Sequence, residues 1–297
     1  MESIISNECR LCPRNCGVDR AAGVIGHCGA GSLPVVAGAQ PHYWEEPCIS
    51  GQHGSGTVFF SGCSLKCVYC QNYEISASLV GREVNVTELR DIFKRLEDMG
   101  VHNINLVNPT HFAVAILEAL ERPPSIPIVY NSGGYERLET LRAFEGKISI
   151  YLPDFKYSDN RLAEKYSGVS DYYEYATQAI TEMVRQTGDY VLDSDGVLTR
   201  GVLIRHLVLP GNIQNSRNVI KWIDDHFENG NVLFSLMSQY TPHGRAVDYG
   251  ALGRRLTRNE YDEVEAYLLS LDFDDGYLQD LGSAGNEYIP PFDLTPI

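Results

Sequence analysis

A chain of 297 residues, 43% hydrophobic and 21% charged, is long enough for one large α/β domain with attachments and has the composition of an ordinary soluble globular protein. A formal charge of -15 and a pI near 4.9 exclude a general nucleic-acid binder, which needs Lys and Arg clustered for phosphates. No apolar run reaches the roughly 18 to 20 residues of a membrane span, and MESIISNECRLCPR has neither a basic leader nor an apolar signal core, so the sequence predicts a cytoplasmic protein with no membrane or nucleic-acid partner.

All eight cysteines fall in the first 70 residues. An even count admits disulfides, but these suit small secreted domains and persist poorly in a reducing compartment; close spacing without a signal peptide points to metal. The chain divides into a cysteine-rich metal-binding region over 1–55, a body over 56–257, and a C-terminal helix and tail over 258–297. In the first region Cys9, Cys12, Cys16 and Cys28 offer four thiolates, the donor count of a closed site for structural zinc or an iron–sulfur cluster. Cys48 is left over and reads as a buried thiol. Gly51, Gly54, Gly56 and Gly62 lack the spacing of a phosphate loop and read as turn residues.

Thr57-Val-Phe-Phe-Ser61 is β-branched and aromatic and predicts a strand that runs straight into GCSLKCVYCQN. Cys63, Cys67 and Cys70 therefore sit on the loop leaving that strand. Three thiolates with one position open suit catalytic zinc in number, but such sites recruit His or carboxylate; an all-cysteine triad better suits iron and sulfide. Next, VTELRDIFKRLEDMG carries Leu89, Ile92, Phe93, Leu96 and Met99 at helical spacing, with Thr87 the expected N-cap and Gly100 the stop. NINLVNPTHF, IPIVYNSGGY, KISIYLPDFKY, GVLIRHLVLP and NVLFSLMSQY supply five more strands, most followed by helical periodicity, and Glu121 to Pro127 reads as a loop. Repeated βα order predicts a parallel sheet. Six units, two short of a full barrel, predict an open partial (β/α)6 TIM-like barrel with its chemistry at the C-terminal strand ends. The tail, with Tyr277, Tyr288, Pro290, Pro291 and Phe292, is too aromatic for a linker and either wraps the barrel mouth or packs outside.

CSLKCVYC fits C-x3-C-x2-C with Tyr69 directly before the last cysteine. Placed after a strand at the head of a βα series, it resembles the radical S-adenosylmethionine (SAM) superfamily. EEPCISGQHGSGTVFFSGCSLKCVYCQN, NLVNPTHF, YLPDFKY, RHLVLPG and LMSQY carry the likeness over most of the chain. It runs to the pyruvate formate-lyase activating-enzyme branch and most of all to the uncharacterised PflX-type proteins, whose opening CRLCPRNCGVDR resembles. The resemblance implies a [4Fe-4S] cluster on Cys63, Cys67 and Cys70 whose free iron binds SAM. It implies reductive cleavage of SAM to a 5'-deoxyadenosyl radical for hydrogen abstraction, which makes the chain an oxidoreductase. Reduced flavodoxin or ferredoxin is the implied electron donor, and a glycyl-radical enzyme, another peptide or a small molecule the substrate. An iron–sulfur electron-transfer protein without SAM chemistry is the alternative.

Residue by residue, the likeness places Tyr69 at the cofactor. Lys156 would meet the SAM carboxylate or ribose, and Asp154 would steady the lysine or bind a cation. Two apart on a strand, both share the face of Ile148, Ile150 and Leu152; the alternative is an ion pair that only closes the barrel end. Arg205 offers a guanidinium fork for a carboxylate, against a surface ion pair as its plainer fate, and His206 beside it reads as structural. Asn108-Pro-Thr110-His111 stands where many relatives carry Gly-Gly-Glu, leaving Asn108 and Thr110 as the polar groups there. Gln239 stands where the activase has histidine. For the N-terminal quartet a second iron–sulfur cluster is preferred to zinc, since the body already needs an electron route.

Overall fold

The structure, a computed structural model, describes residues 8–283, so Tyr288, Pro290, Pro291 and Phe292 lie outside the described residues. Ten strands form its sheet: β1 Val35–His42, β2 Ser55–Phe60, β3 Arg82–Glu83, β4 Ile104–Val107, β5 Ile128–Ser132, β6 Ile150–Pro153, β7 Val191–Leu192, β8 Leu198–Leu207, β9 Leu233–Met237 and β10 Gly276–Leu278. The helices are α1 Pro47–Ser50, α2 Tyr73–Ala77, α3 Val86–Asp98, α4 Ala113–Ala119, α5 Leu138–Ala143, α6 Asn160–Ser167, α7 Tyr172–Thr187, α8 Ile213–His226 and α9 Arg258–Leu268.

Six strands, β2, β4, β5, β6, β8 and β9, lie side by side in chain order and pair in parallel, giving the partial (β/α)6 barrel. β1 and then β3 extend one edge antiparallel, β10 extends the other parallel to β9, and β7 makes a hairpin with β8. Side-chain alternation divides the barrel into two apolar regions. Val58, Ile104, Tyr130, Tyr151, Val202, Ile204 and Phe234 pack against Leu89, Phe93, Ile116, Leu141, Ile180 and Ile220 of the covering helices. Val129, Ile150, Leu152, Leu203 and Leu233, on the other face, close on Cys48 and Ile49 of α1. Cys48 is thus a buried plug residue at the barrel interior.

The helix expected from VTELRDIFKRLEDMG, α3, is capped two residues earlier than Thr87. Asn85, not Thr87, is the N-cap of α3: its side chain accepts from Glu88 N, and the Glu88 carboxylate accepts in return from Asn85 N. The reciprocal bonds satisfy two end amides at once, which a Thr87 start would forgo. Gly100 follows the helix with φ 79°, as a stop residue should.

Candidate active site

Along the interior face the apolar residues give way to polar ones toward the C-terminal strand ends. Val129 is followed by Asn131, Leu152 by Asp154, Leu203 by Arg205 and Leu233 by Ser235, and these four polar residues line a cavity of about 480 Å³. Cys63, Cys67, Cys70 and Tyr69 line the same cavity, as do Asn108, Lys156 and Gln239. Thr110 does not. It is buried, and its hydroxyl donates to Glu136 Oε1 at 2.8 Å. Asn108, at a left-handed φ of 57°, donates its amide to Gly62 O at 2.7 Å and so holds the start of the cysteine loop.

The polar layer is an ion-pair network centred on Arg205. Nε donates to Asp154 Oδ1 (2.9 Å), Nη1 to Glu45 Oε2 (2.8 Å) and Nη2 to Asn131 Oδ1 (2.9 Å). With every nitrogen engaged by the protein, Arg205 locks the barrel floor instead of presenting a free fork to a ligand. Lys156 keeps more freedom: Nζ donates to Asp154 Oδ2 at 2.6 Å, which leaves two of its three donors for the cavity. Burial alone would lower the Lys156 ammonium, but Asp154 and the thiols of Cys67 and Cys70 hold it charged and above the usual lysine range. Burial likewise lifts Asp154, yet Arg205 and Lys156 outweigh it and keep the carboxyl below its ordinary value. His206, on the opposite strand face, is fully buried between Phe155 O and Ser216 Oγ.

Three carboxylates of the cavity wall escaped the sequence reading. Glu45 and Glu46 come from WEEPC, just before α1; both line the cavity, and burial raises Glu46 while Arg205 Nη1 stands 3.8 Å away. Glu136 closes NSGGYE after β5. Buried but lining the cavity, it is pushed up to about 7 by desolvation against the hydroxyls of Thr110, Ser132 and Tyr130. The available signals were two adjacent acids ahead of a proline-started helix and an acid two residues after a glycine pair at a strand exit.

Gln239 is capped from the tail: Gln279 Nε2 donates to Gln239 Oε1 at 2.8 Å, and Gln279 Oε1 accepts from the amides of Ser238 and Gln239. Tyr277, Leu278, Gln279 and Asp280 line the cavity, so this part of the tail does lie across the barrel mouth.

The N-terminal quartet folds as a tight knuckle against the cysteine loop. Cys9 N donates to Val18 O (2.8 Å) and Gly17 N to Cys9 O (2.9 Å), while His27 N donates to Cys16 Sγ at 3.4 Å. Cys12 is pushed up to about 12 by burial, with Cys28 and Cys9 close enough to add to the rise. All eight cysteines are free thiols. A Cβ on Gly62 would fall 2.7 Å from Cys28 O, so the two cysteine groups adjoin. Among the described residues no group of three or more His, Cys, Asp or Glu is arranged to hold a single metal ion, and no helix is long and apolar enough to cross a membrane.

A six-stranded partial barrel with three cysteines at the exit of its first parallel strand places a set of soft ligands at the strand ends. A family model described as the radical SAM superfamily matches residues 57–212, more than half of the chain, and the chain belongs to that superfamily. The uncharacterized protein MJ0674 of Methanocaldococcus jannaschii is 30% identical over 248 residues, covering 78% of this chain and 68% of that protein. Among solved structures, methylornithine synthase (PylB) is similar in fold, with a TM-score of 0.50 and 15% identity over 72% of this chain and 62% of its own. This chain thus spans less than two thirds of that enzyme's length. SuiB of Streptococcus suis bound to S-adenosylmethionine gives a TM-score of 0.46 at 13% identity, over 76% of this chain and 50% of that one.

Family membership implies a [4Fe-4S] cluster and SAM, and the donor set here fits both. Cys63, Cys67 and Cys70 face one cavity, and the thiols of Cys63 and Cys70 are both raised. Burial is the larger cause, lifting Cys63 and taking Cys70 up to about 12, while the Lys156 charge opposes it. Ligation to metal stabilises a thiolate that burial otherwise disfavours. Lys156, on the wall of the same cavity, supplies a cation there.

Proposed function

We propose that the protein is a radical SAM enzyme of the activating-enzyme type, with Cys63, Cys67 and Cys70 as the cluster ligands. Bound there, a reduced [4Fe-4S] cluster supplies the electron that cleaves SAM to methionine and a 5'-deoxyadenosyl radical. The observation that carries this reading is the meeting of three cysteine thiols with the Lys156 and Asp154 pair in one cavity at the strand ends. Lys156 binds the carboxylate of SAM, and Asp154, held by Arg205, fixes the lysine. Glu45 and Asn131 hold Arg205, so this polar floor is rigid before any ligand arrives. Tyr69, Asn108 and Gln239 complete the cofactor wall. A low-potential donor such as reduced flavodoxin or ferredoxin provides the electron, and a glycyl-radical enzyme or peptide is the substrate class. The quartet Cys9, Cys12, Cys16 and Cys28 holds a second metal, an iron–sulfur cluster in preference to zinc; four thiols on adjoining turns support this.

Anaerobic reconstitution, reduction and addition of SAM test the central claim. The wild type is expected to form 5'-deoxyadenosine slowly without substrate, and Cys67→Ala none. Equal 5'-deoxyadenosine from both, or none from a fully reconstituted wild type across several reductants, would leave an iron–sulfur electron-transfer protein instead.

A further inference from the structure

Cys67 has a hydroxyl partner from 100 residues further along the chain. Ser167, the last residue of α6, donates to Cys67 Sγ at 3.0 Å. Its oxygen stands 2.7 Å from Tyr157 Oη, which stands 2.9 Å from Tyr69 Oη. Ser167, Tyr157, Tyr69 and Cys67 are all buried, so water does not compete for these bonds. The end of α6 is held by one side chain. Arg14, inside the cysteine quartet, donates Nε to Ser64 O (2.8 Å), Nη1 to Gly168 O (2.6 Å) and Nη2 to Ser167 O (2.8 Å). A single guanidinium thereby clamps the cysteine loop to the helix terminus and sets the approach of the hydroxyl to the sulfur.

We infer that Ser167, positioned by Arg14 and Tyr157, sets the reduction potential of the iron–sulfur cluster carried by Cys63, Cys67 and Cys70. The inference rests on the radical SAM reading above and deepens it. One-electron reduction by a low-potential donor breaks no bond and moves no proton; it adds one negative charge, shared by the thiolate sulfurs. A hydroxyl donating to one of those sulfurs stabilises the reduced form more than the oxidised form and raises the potential. Ser167 touches a ligand atom and not the substrate, so it is a positioning residue. Its role is separable from that of Lys156, which faces the cavity.

Full-length wild type, Ser167→Ala and Ser167→Thr, reconstituted anaerobically, are compared by EPR-monitored redox titration and by resonance Raman in H2O and D2O. Ser167→Ala is expected to hold the same iron and to be harder to reduce, by roughly tenfold in the reduced-to-oxidised ratio at fixed potential, or about 59 mV for a one-electron couple. Its Fe–S(Cys) stretch should lose the D2O sensitivity of the wild type. Ser167→Thr, which keeps the hydroxyl, should restore both. An unchanged potential and an unchanged D2O shift in Ser167→Ala would overturn the inference. Should that variant fail to hold iron, Tyr157→Phe leaves Ser167 in place and must move the potential the same way; no movement there would overturn it equally. A wild type that takes up no cluster would remove the radical SAM reading itself, and this inference with it.

Discussion

Glu136 shows how much a single buried carboxyl adds to the pH behaviour of this chain. Its ordinary value of 4.5 rises to about 7 because burial disfavours the charge more than Thr110, Ser132 and Tyr130 favour it. Below about pH 4.5 the group is neutral folded or unfolded and costs nothing. As pH climbs to about 7 the unfolded chain sheds the proton first and stability falls; above that the full cost is present, on the order of 3 kcal/mol at about 1.36 kcal/mol per unit. Glu136→Gln is therefore expected to gain stability relative to the wild type between about pH 4.5 and 7.5, read from denaturant unfolding at several pH values. Parallel curves for the two proteins would show that the carboxyl is solvated. Arg205 makes the complementary point: its sequence position promised a ligand fork, while Glu45, brought back from a distant turn, consumes one arm.

At the scale of elements, the three-residue strand β10 brings Tyr277 and Leu278 to the cavity wall. Gly276 pairs with Phe234, and a Cβ there would collide with the Phe234 carbonyl oxygen, so only glycine permits the strand to dock. Gly276→Ala is expected to detach the strap. Amide exchange over 276–280 should accelerate while β4, β5 and β6 stay protected. Cys48, fully buried and hydrogen-bonded to Tyr277, should then react with alkylating reagents. Unchanged protection of 276–280 would mean the strap is held by something other than its pairing with β9.

For the whole molecule, the cysteine-rich start is an integral wall of the barrel. Thr140 Oγ1 donates to Leu11 O at 2.7 Å, Arg14 reaches three carbonyls, and Arg20 donates to His111 O and Gly31 O with its charge over the Phe112 ring. Metal bound by the quartet would thus stabilise the entire chain, since binding energy at a closed site is folding energy. Replacing Cys12 and Cys16 together by Ala is expected to remove one metal site and lower the thermal midpoint, while the iron at Cys63, Cys67 and Cys70 stays. Full stability with unchanged zinc plus iron would show that the quartet binds no metal.

The six-strand order, the strand-exit loop and the three cavity cysteines were legible in the sequence because each is local. β-branched runs, helical spacing and C-x3-C-x2-C are patterns within some 15 residues, and the polar ends of the strands follow from alternation alone. The family followed from the same loop. Asn85 as cap of α3 was legible too, through Asn-x-x-Glu, but Thr87 next to the apolar run masked it. What tertiary structure decided was partnership across the chain. Glu45 with Arg205, Glu136 with Thr110, Gln279 with Gln239 and Ser167 with Cys67 are pairs 26 to 160 residues apart. A side chain's chemistry at such a site depends on which acceptor or charge is buried beside it, and only closure of the barrel, with its plug and strap, puts those groups together.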